Sequence, residues 1–192
     1  MFCCPFMSCF AGFTYRINSP LPSHTQLEPP PSRVVTTDGD ETLLPLLRAN
    51  TSANITTQKP TECMQLVWGA GLPDPKALTG NFDLVVAADA ILAPPLPQYT
   101  KGSTKEQMVS KQIDNLLESG ASLLDPSAQN PPACMVLSTA EPLDRLKAPK
   151  LRSLVMAAAE RAGLQCMSWS ERTAGVPQPN WLTDVLVFEL SR

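Results

Sequence analysis

The chain has 192 residues, 43% of them hydrophobic, and its 15 basic and 18 acidic side chains give a net charge of −3. This length suits a single domain, and the mild acidity excludes the strongly basic surface typical of nucleic-acid-binding domains. No apolar run approaches the roughly 18–20 residues that a transmembrane segment requires. The 20 prolines, against 9 glycines, predict long irregular connections. We therefore expect one domain without nucleic acid as a partner.

Residues 1–33 are predicted to form an irregular leader that precedes the domain. Residues 1–15 are apolar and aromatic. A signal peptide carries basic residues before its hydrophobic part, and this segment has none there. Residues 17–33 carry five prolines and no helical period, which is typical of a linker. Residues 1–15 are interpreted as a short strand, a disordered leader or sequence that does not belong to the original domain. A lipid anchor on Cys3, Cys4 and Cys9 is a second interpretation.

The remaining cysteines, Cys63, Cys134 and Cys166, stand singly in or beside apolar stretches. Their spacing fits no zinc pattern, and the one histidine, His24, lies in the proline-rich segment, so no metal site is predicted. Nothing resembles a disulfide framework, which indicates a reducing compartment, the cytoplasm or the nucleus.

From Val34 onward, strands and helices alternate. Residues 33–37 form a β-branched strand, and an amphipathic helix with Asp40 as a candidate N-cap follows. Residues 63–68 are strand-like. Residues 81–89 form the clearest strand, with a continuous apolar run typical of a strand that is buried on both faces.

The alternation continues to the end of the chain. Helices are predicted over 105–124 and 148–162, on either side of a buried strand at 133–138. The last two strands, 164–169 and 183–190, have no helix between them and are expected to pair antiparallel. This pattern predicts an α/β fold with a mostly parallel sheet.

Three motifs carry a resemblance to a known family. They are Asp38-Gly39-Asp40-Glu41, then Leu66-Val67-Trp68-Gly69, then residues 82–92. In this order and spacing, residues 34–192 resemble family 16 methyltransferases, the protein-lysine methyltransferases related to the calmodulin-lysine enzyme. The resemblance implies a Rossmann-like seven-strand sheet, S-adenosyl-L-methionine as cofactor, and a lysine side chain of a protein substrate as methyl acceptor.

The resemblance also implies roles for single residues. Asp38 ends the second strand of the family's fold, where a carboxylate accepts hydrogen bonds from ribose hydroxyls. Trp68 is expected near the adenine, Ala88 where the chain passes close to the cofactor, and Asp89 as the catalytic residue that orients the lysine amine. Taken alone, Asp38 is almost as well explained as a turn or cap residue, and Trp68 as a core residue.

Two features depart from the family's pattern. Leu92 stands where the family carries a tyrosine, and Gly12 is the single glycine in residues 1–33, so the glycine-rich turn after the first strand is missing. The sheet is therefore expected to be incomplete at its first strand, unless the leader supplies a substitute from residues 6–13. An incomplete sheet would recruit a partner strand or a chaperone. A truncated, non-catalytic binding or scaffold module is the alternative function.

Overall fold

The computed structural model describes residues 12–13, 32–54, 61–72, 74–88, 90–91, 104–128, 132–141, 148–173 and 184–192. These residues form seven strands and four α-helices, besides one 3₁₀ turn at Glu41–Leu43. In chain order the elements are β1 (Gly12–Phe13), β2 (Val34–Asp38), α1 (Leu44–Asn54), β3 (Thr61–Gln65), α2 (Pro75–Leu78), β4 (Leu84–Ala88), α3 (Lys105–Leu123), β5 (Cys134–Glu141), α4 (Ala148–Arg161), β6 (Gln165–Thr173) and β7 (Asp184–Ser191).

The strands form one sheet in the order β3-β2-β1-β4-β5-β7-β6. Parallel pairing joins β2 to β3 and β4 to β5. At the carboxyl-terminal end of the chain, β7 lies antiparallel between β5 and β6. The predicted α/β class and the predicted antiparallel hairpin are confirmed.

The first strand departs from a mostly parallel sheet. Strand β1 is two residues long and runs antiparallel to both neighbours, with Gly12 opposite Thr37 and Phe13 opposite Thr36 and Val86. The leader thus supplies a substitute strand in the centre of the sheet. Because β1 and β7 are reversed relative to the other five strands, the sheet is mixed.

The long helices begin and end where their sequences provide capping groups. The hydroxyl of Thr104 accepts a hydrogen bond from the backbone N–H of Gln107, and the Gln107 side chain accepts one from the backbone N–H of Thr104. This reciprocal capping box starts α3. Helix α4 ends just before Gly163, whose φ of 71° is the left-handed conformation that terminates helices.

The core lies between these helices and one face of the sheet. Helices α3 and α4 contribute Ile113, Leu117 and Val155, and the sheet contributes Met135 and Phe188, each with 0% exposure. All five belong to one contiguous buried cluster. Two ion pairs also link α3 to α4, Glu106 with Lys150 and Asp114 with Arg161. The sheet and α3 together form the frame on which the site is built.

Most element boundaries lie within a few residues of the predicted ones. The largest shift is at the end of β6, which continues to Thr173, four residues beyond the predicted end. Strand β3 begins two residues earlier than predicted, at Thr61, and ends three residues earlier, at Gln65. No helix of the described residues is long and apolar enough to cross a membrane. Cys3, Cys4 and Cys9 lie outside the described residues, so their lipidation stays a hypothesis, as does a domain boundary between residues 33 and 34.

Candidate functional site

A pocket opens beside the carboxyl ends of β2 and β3 and extends along the central strands toward α3. Part of it is open to solvent. Its wall is mainly apolar, and its polar side chains among the described residues are Thr37, Asp38 and Ser119. Ligands of open α/β sheets bind beside the carboxyl ends of the strands. The pocket is therefore the candidate ligand site.

Asp38 is the one charged side chain among the described residues that line this pocket. It ends β2 and is 7% exposed. Its Oδ1 accepts a hydrogen bond from the backbone N–H of Asp40 at 2.8 Å. Burial raises the pKa of Asp38, while this hydrogen bond opposes the rise. The result is a buried carboxylate held in one orientation at the pocket wall.

The chain around Asp38 is fixed by the neighbouring strand. The carbonyl of Asp38 accepts a hydrogen bond from the backbone N–H of Leu66, at 2.9 Å. The Gln65 side-chain amide donates to the carbonyl of Gly39, at 3.0 Å. Asp40 in turn caps the 3₁₀ turn, because its carboxylate accepts from the backbone N–H of Thr42. The cap role that the sequence left open for Asp38 thus belongs to Asp40.

Trp68 reaches the same pocket from a tight turn after β3. The N–H of Ala70 donates to the carbonyl of Val67, and Gly69 takes a positive φ of 78°. This geometry is that of a type II turn, in which glycine is favoured at the third position. The N–H of Gly69 also donates to Oγ of Ser119 in α3, at 3.1 Å. Trp68 is half-buried against the core and lines the pocket together with Asp38.

The other two predicted residues stand apart from this pair. Ala88 is the last residue of β4, half-buried and opposite Ser138 of β5. Ala87, which precedes it, and Ala90, two residues further on, line the pocket, but Ala88 itself does not. Asp89 and Leu92 lie outside the described residues. The roles assigned to Asp38, Trp68, Ala88 and Asp89 stay predictions.

Several residues of the pocket wall could not be predicted from the sequence. Ser119, Gly120 and Leu123 come from the carboxyl-terminal half of α3, and Leu78 comes from the four-residue helix α2. Their place in the wall depends on how α3 crosses the sheet, which spacing along the chain does not express. Gly39 is an exception, because it lines the pocket next to Asp38 within the first family motif.

Comparison with known proteins bears on this geometry. A family model described as lysine methyltransferase matches residues 23–98. Over this range, the resemblance to family 16 methyltransferases is confirmed. The matched range contains β2, β3 and β4 and all four predicted site residues. A search of curated proteins finds no match.

Solved structures share the fold at low sequence identity. A SAM-dependent methyltransferase from Methanosarcina mazei superposes with a TM-score of 0.53 at 9% identity, over 81% of this chain and 80% of that protein. The SMU.776 protein complexed with SAH gives 0.50 at 14% identity, over 85% of this chain but 40% of that protein. These likenesses show a Rossmann-like methyltransferase fold.

Proposed function

We propose that this protein is a methyltransferase that uses S-adenosyl-L-methionine to methylate a lysine side chain of a protein substrate. One observation carries the proposal. The segment that matches the lysine methyltransferase family places the buried Asp38 carboxylate on the wall of a largely apolar pocket, at the carboxyl ends of parallel strands. The names of the similar structures, one SAM-dependent and one bound to SAH, support the choice of cofactor.

The residues present fit the nucleoside part of that cofactor. A carboxylate offers about four acceptor positions, so Asp38 can accept from ribose hydroxyls beside its existing hydrogen bond. Trp68 and Leu66 offer apolar surface for an adenine ring. The bound cofactor would supply the methyl group on its sulfonium. The chain would bind and orient the nucleoside and exclude water from it.

The acceptor lysine must be deprotonated and aligned before it can attack a methyl group. We assign the alignment to Asp89, whose carboxylate would hold the amine directly after β4. Leu92 supplies no hydroxyl for the acceptor channel, so Asp89 would act without the tyrosine of the family's pattern. We place the reaction in the cytoplasm or nucleus, because these compartments are reducing and the sequence shows no disulfide framework.

The direct test is transfer of a radiolabelled methyl group from S-adenosyl-L-methionine to protein lysines in a cell extract. The unmodified chain should label protein, whereas Asp38→Ala should lower kcat/KM about 10–100-fold, the factor equivalent to about 1.5–3 kcal/mol for a hydrogen bond to a charged group. Asp89→Asn should lower kcat. Glu160→Gln, which changes an exposed carboxylate of α4 that does not line the pocket, is the matched control and should leave the rate unchanged.

A non-catalytic binding or scaffold module is the second candidate, and the reversed β1 favours it. In this case a folded chain would bind cofactor or protein but transfer no label above a heat-inactivated sample. That outcome would contradict the enzyme proposal.

A further inference from the structure

Helix α4 and strand β6 share an exposed surface at one end of the sheet, which we call the α4–β6 face. It is formed by Arg152, Met156 and Glu160 of α4 and by Met167 and Trp169 of β6. We propose that this face pairs with the same face of a second copy of the chain, as a two-fold dimer. The pocket lies between β2, β4 and α3 and shares no residue with this face. The dimer is therefore independent of the proposed function.

Large apolar side chains are concentrated on the α4–β6 face. Five large hydrophobic side chains are exposed among the described residues, and three of them, Met156, Met167 and Trp169, belong to this face. Their exposed fractions are 37%, 56% and 39%. Exposed apolar side chains that cluster mark a surface for another protein. Tryptophan, methionine and arginine are also the residue types enriched in protein interfaces.

Arg152 is held in place on this face by Trp169. Its guanidinium carbon lies 3.8 Å from the centre of the Trp169 ring. Stacking occupies the flat side of a guanidinium and leaves the N–H groups at its rim to donate to a carboxylate. Lys150 and Arg161 of the same helix pair with carboxylates of α3. Arg152 and Glu160 are exposed and form no ion pair with the other residues that the structure describes.

The spacing along α4 makes this face complementary to itself. Arg152, Met156 and Glu160 follow one another at intervals of four residues, so they lie along one side of the helix. In an antiparallel pair of α4 helices with the two-fold axis at Met156, Arg152 lies level with Glu160 of the partner subunit, about 6 Å along the helix from the axis. The same contact repeats on the other side of the axis, as a symmetric interface requires. Ser153 and Ala157, which are exposed between these residues, are small enough for the two helices to approach closely.

Sedimentation equilibrium on the full chain tests the inference through the two charges. One helix and one strand make a small interface, so we expect a reversible dimer at high micromolar concentrations. Arg152→Glu should weaken the dimer at least about tenfold, because it places two carboxylates opposite each other in both ion pairs. Glu160→Arg should weaken it similarly through two opposed cations. The double variant, Arg152→Glu with Glu160→Arg, exchanges the charges and should dimerise more tightly than either single variant.

A mixture of the two single variants gives a sharper test. When Arg152→Glu pairs with Glu160→Arg, both ion pairs join an acidic to a basic side chain, so the mixture should associate where each variant alone does not. This result also shows that both variants are folded. Arg48→Glu, which reverses an exposed charge of α1 near the other end of the sheet, is the matched control and should leave the dimer unchanged.

Two outcomes would overturn the inference. An unmodified chain that stays monomeric at high micromolar concentrations would exclude a second copy and leave the face to a different protein. A dimer that forms equally in all the variants, without a preference for the mixture, would place the contact between copies elsewhere on the molecule.

Discussion

At the scale of single residues, Asp38 combines two properties that usually oppose each other. It is 7% exposed, which disfavours its charge, yet it accepts a backbone hydrogen bond that favours the charge. Burial has the larger effect, so the pKa lies above the ordinary aspartate value. A carboxylate that has already lost hydration on folding has less hydration to lose when it accepts hydrogen bonds from ligand hydroxyls.

This pKa shift predicts a pH dependence of stability. A carboxyl group whose pKa is higher in the folded state binds its proton more tightly there. The contribution of Asp38 to the free energy of unfolding therefore falls as pH rises from the unfolded pKa, about 3.9, through the raised folded pKa, and is constant above it. Urea unfolding at several pH values measures the free energy of unfolding of the unmodified chain and of Asp38→Asn. As pH rises across this window, the value for the unmodified chain should fall relative to that for the variant.

Asp40 provides a matched control with the opposite sign. Hydrogen bonds from the Thr42 hydroxyl and backbone N–H lower the pKa of Asp40. Its contribution is present above the unfolded pKa and is lost as pH falls through the lowered folded pKa. Asp40→Asn should therefore lose stability relative to the unmodified chain above the unfolded pKa. Difference curves of the same sign for both variants would contradict the assignment.

The turn that carries Trp68 offers a comparison between two glycines. Gly69 and Gly71 both have positive φ, 78° and 85°. A Cβ on Gly69 would lie 2.5 Å from Cγ of Asn115, whereas a Cβ on Gly71 would meet nothing within 4 Å. Gly71→Ala should cost about 1 kcal/mol of unfolding free energy, the strain of the left-handed conformation. Gly69→Ala should cost about 1–2 kcal/mol more, because the side chain of Asn115 must also move.

Denaturant unfolding measures both costs, and calorimetry with adenosine gives a second readout. Gly69→Ala should also weaken adenosine binding, since it displaces Trp68, and Gly71→Ala should not. Equal stability and equal affinity in the two variants would show that the contact between this turn and α3 has no energetic role.

At the scale of elements, α3 is a long helix whose two ends are both fixed by side-chain hydrogen bonds. It forms one wall of the pocket, and its first turn is fixed by the Thr104–Gln107 capping box. Its last turn is fixed by Arg192, whose guanidinium donates to the carbonyls of Ala121 and Leu124. Both ends therefore satisfy backbone groups that a helix otherwise leaves unpaired.

The cap makes a quantitative prediction. Thr104→Ala removes the oxygen that accepts from Gln107 and should lower the unfolding free energy by about 1 kcal/mol. Thr104→Ser retains the oxygen and should stay close to the unmodified chain. Thermal and urea unfolding measure the difference, and an equal loss in both variants would point to the methyl group of Thr104 instead of the cap.

Local sequence signals predicted elements well where a local cause decides them. The strand ending at Asp38, the helix after Thr104 and the helix ending before Gly163 all have such causes. Helix α2 was not predicted, because four residues are too few to show a period. The direction of β1 was equally inaccessible, since it depends on pairing with strands that lie more than 20 and 70 residues along the chain.

At the scale of the whole molecule, the sheet has two parts that meet at β1. Strands β2 and β3 form one part, and β4, β5, β7 and β6 form the other. In the second part, β5 and β7 are paired from Cys134–Ser191 to Glu141–Asp184. Between the parts, β1 pairs at two positions with β2 and at one with β4. The junction is thus the weakest line of backbone pairing among the described strands.

This arrangement predicts unequal hydrogen exchange. The backbone amides of β2 and β3 should exchange through partial openings at lower denaturant concentration than those of β5 and β7, because fewer interactions must break to release them. Exchange followed by mass spectrometry on peptides from the two parts measures the difference. Identical protection across the sheet would mean that both parts open only in global unfolding.

The pair formed by Asp38 and Trp68 shows how far sequence reasoning reaches toward the site. Asp38 ends one strand and Trp68 follows the next, both at the same edge of the sheet, and the structure brings both to one pocket. The opposite wall comes from α3, whose Ser119 lies 51 residues beyond Trp68 in the chain. No local pattern records that approach, because it depends on the crossing of a helix over strands.

The last strand bears on any experiment that lengthens the protein. Strand β7 ends at Ser191, opposite Cys134, the first residue of β5. Asp38 is the last residue of β2, so it lies at the opposite edge of the sheet. An affinity tag or fluorescent partner attached after Arg192 should therefore leave the pocket accessible.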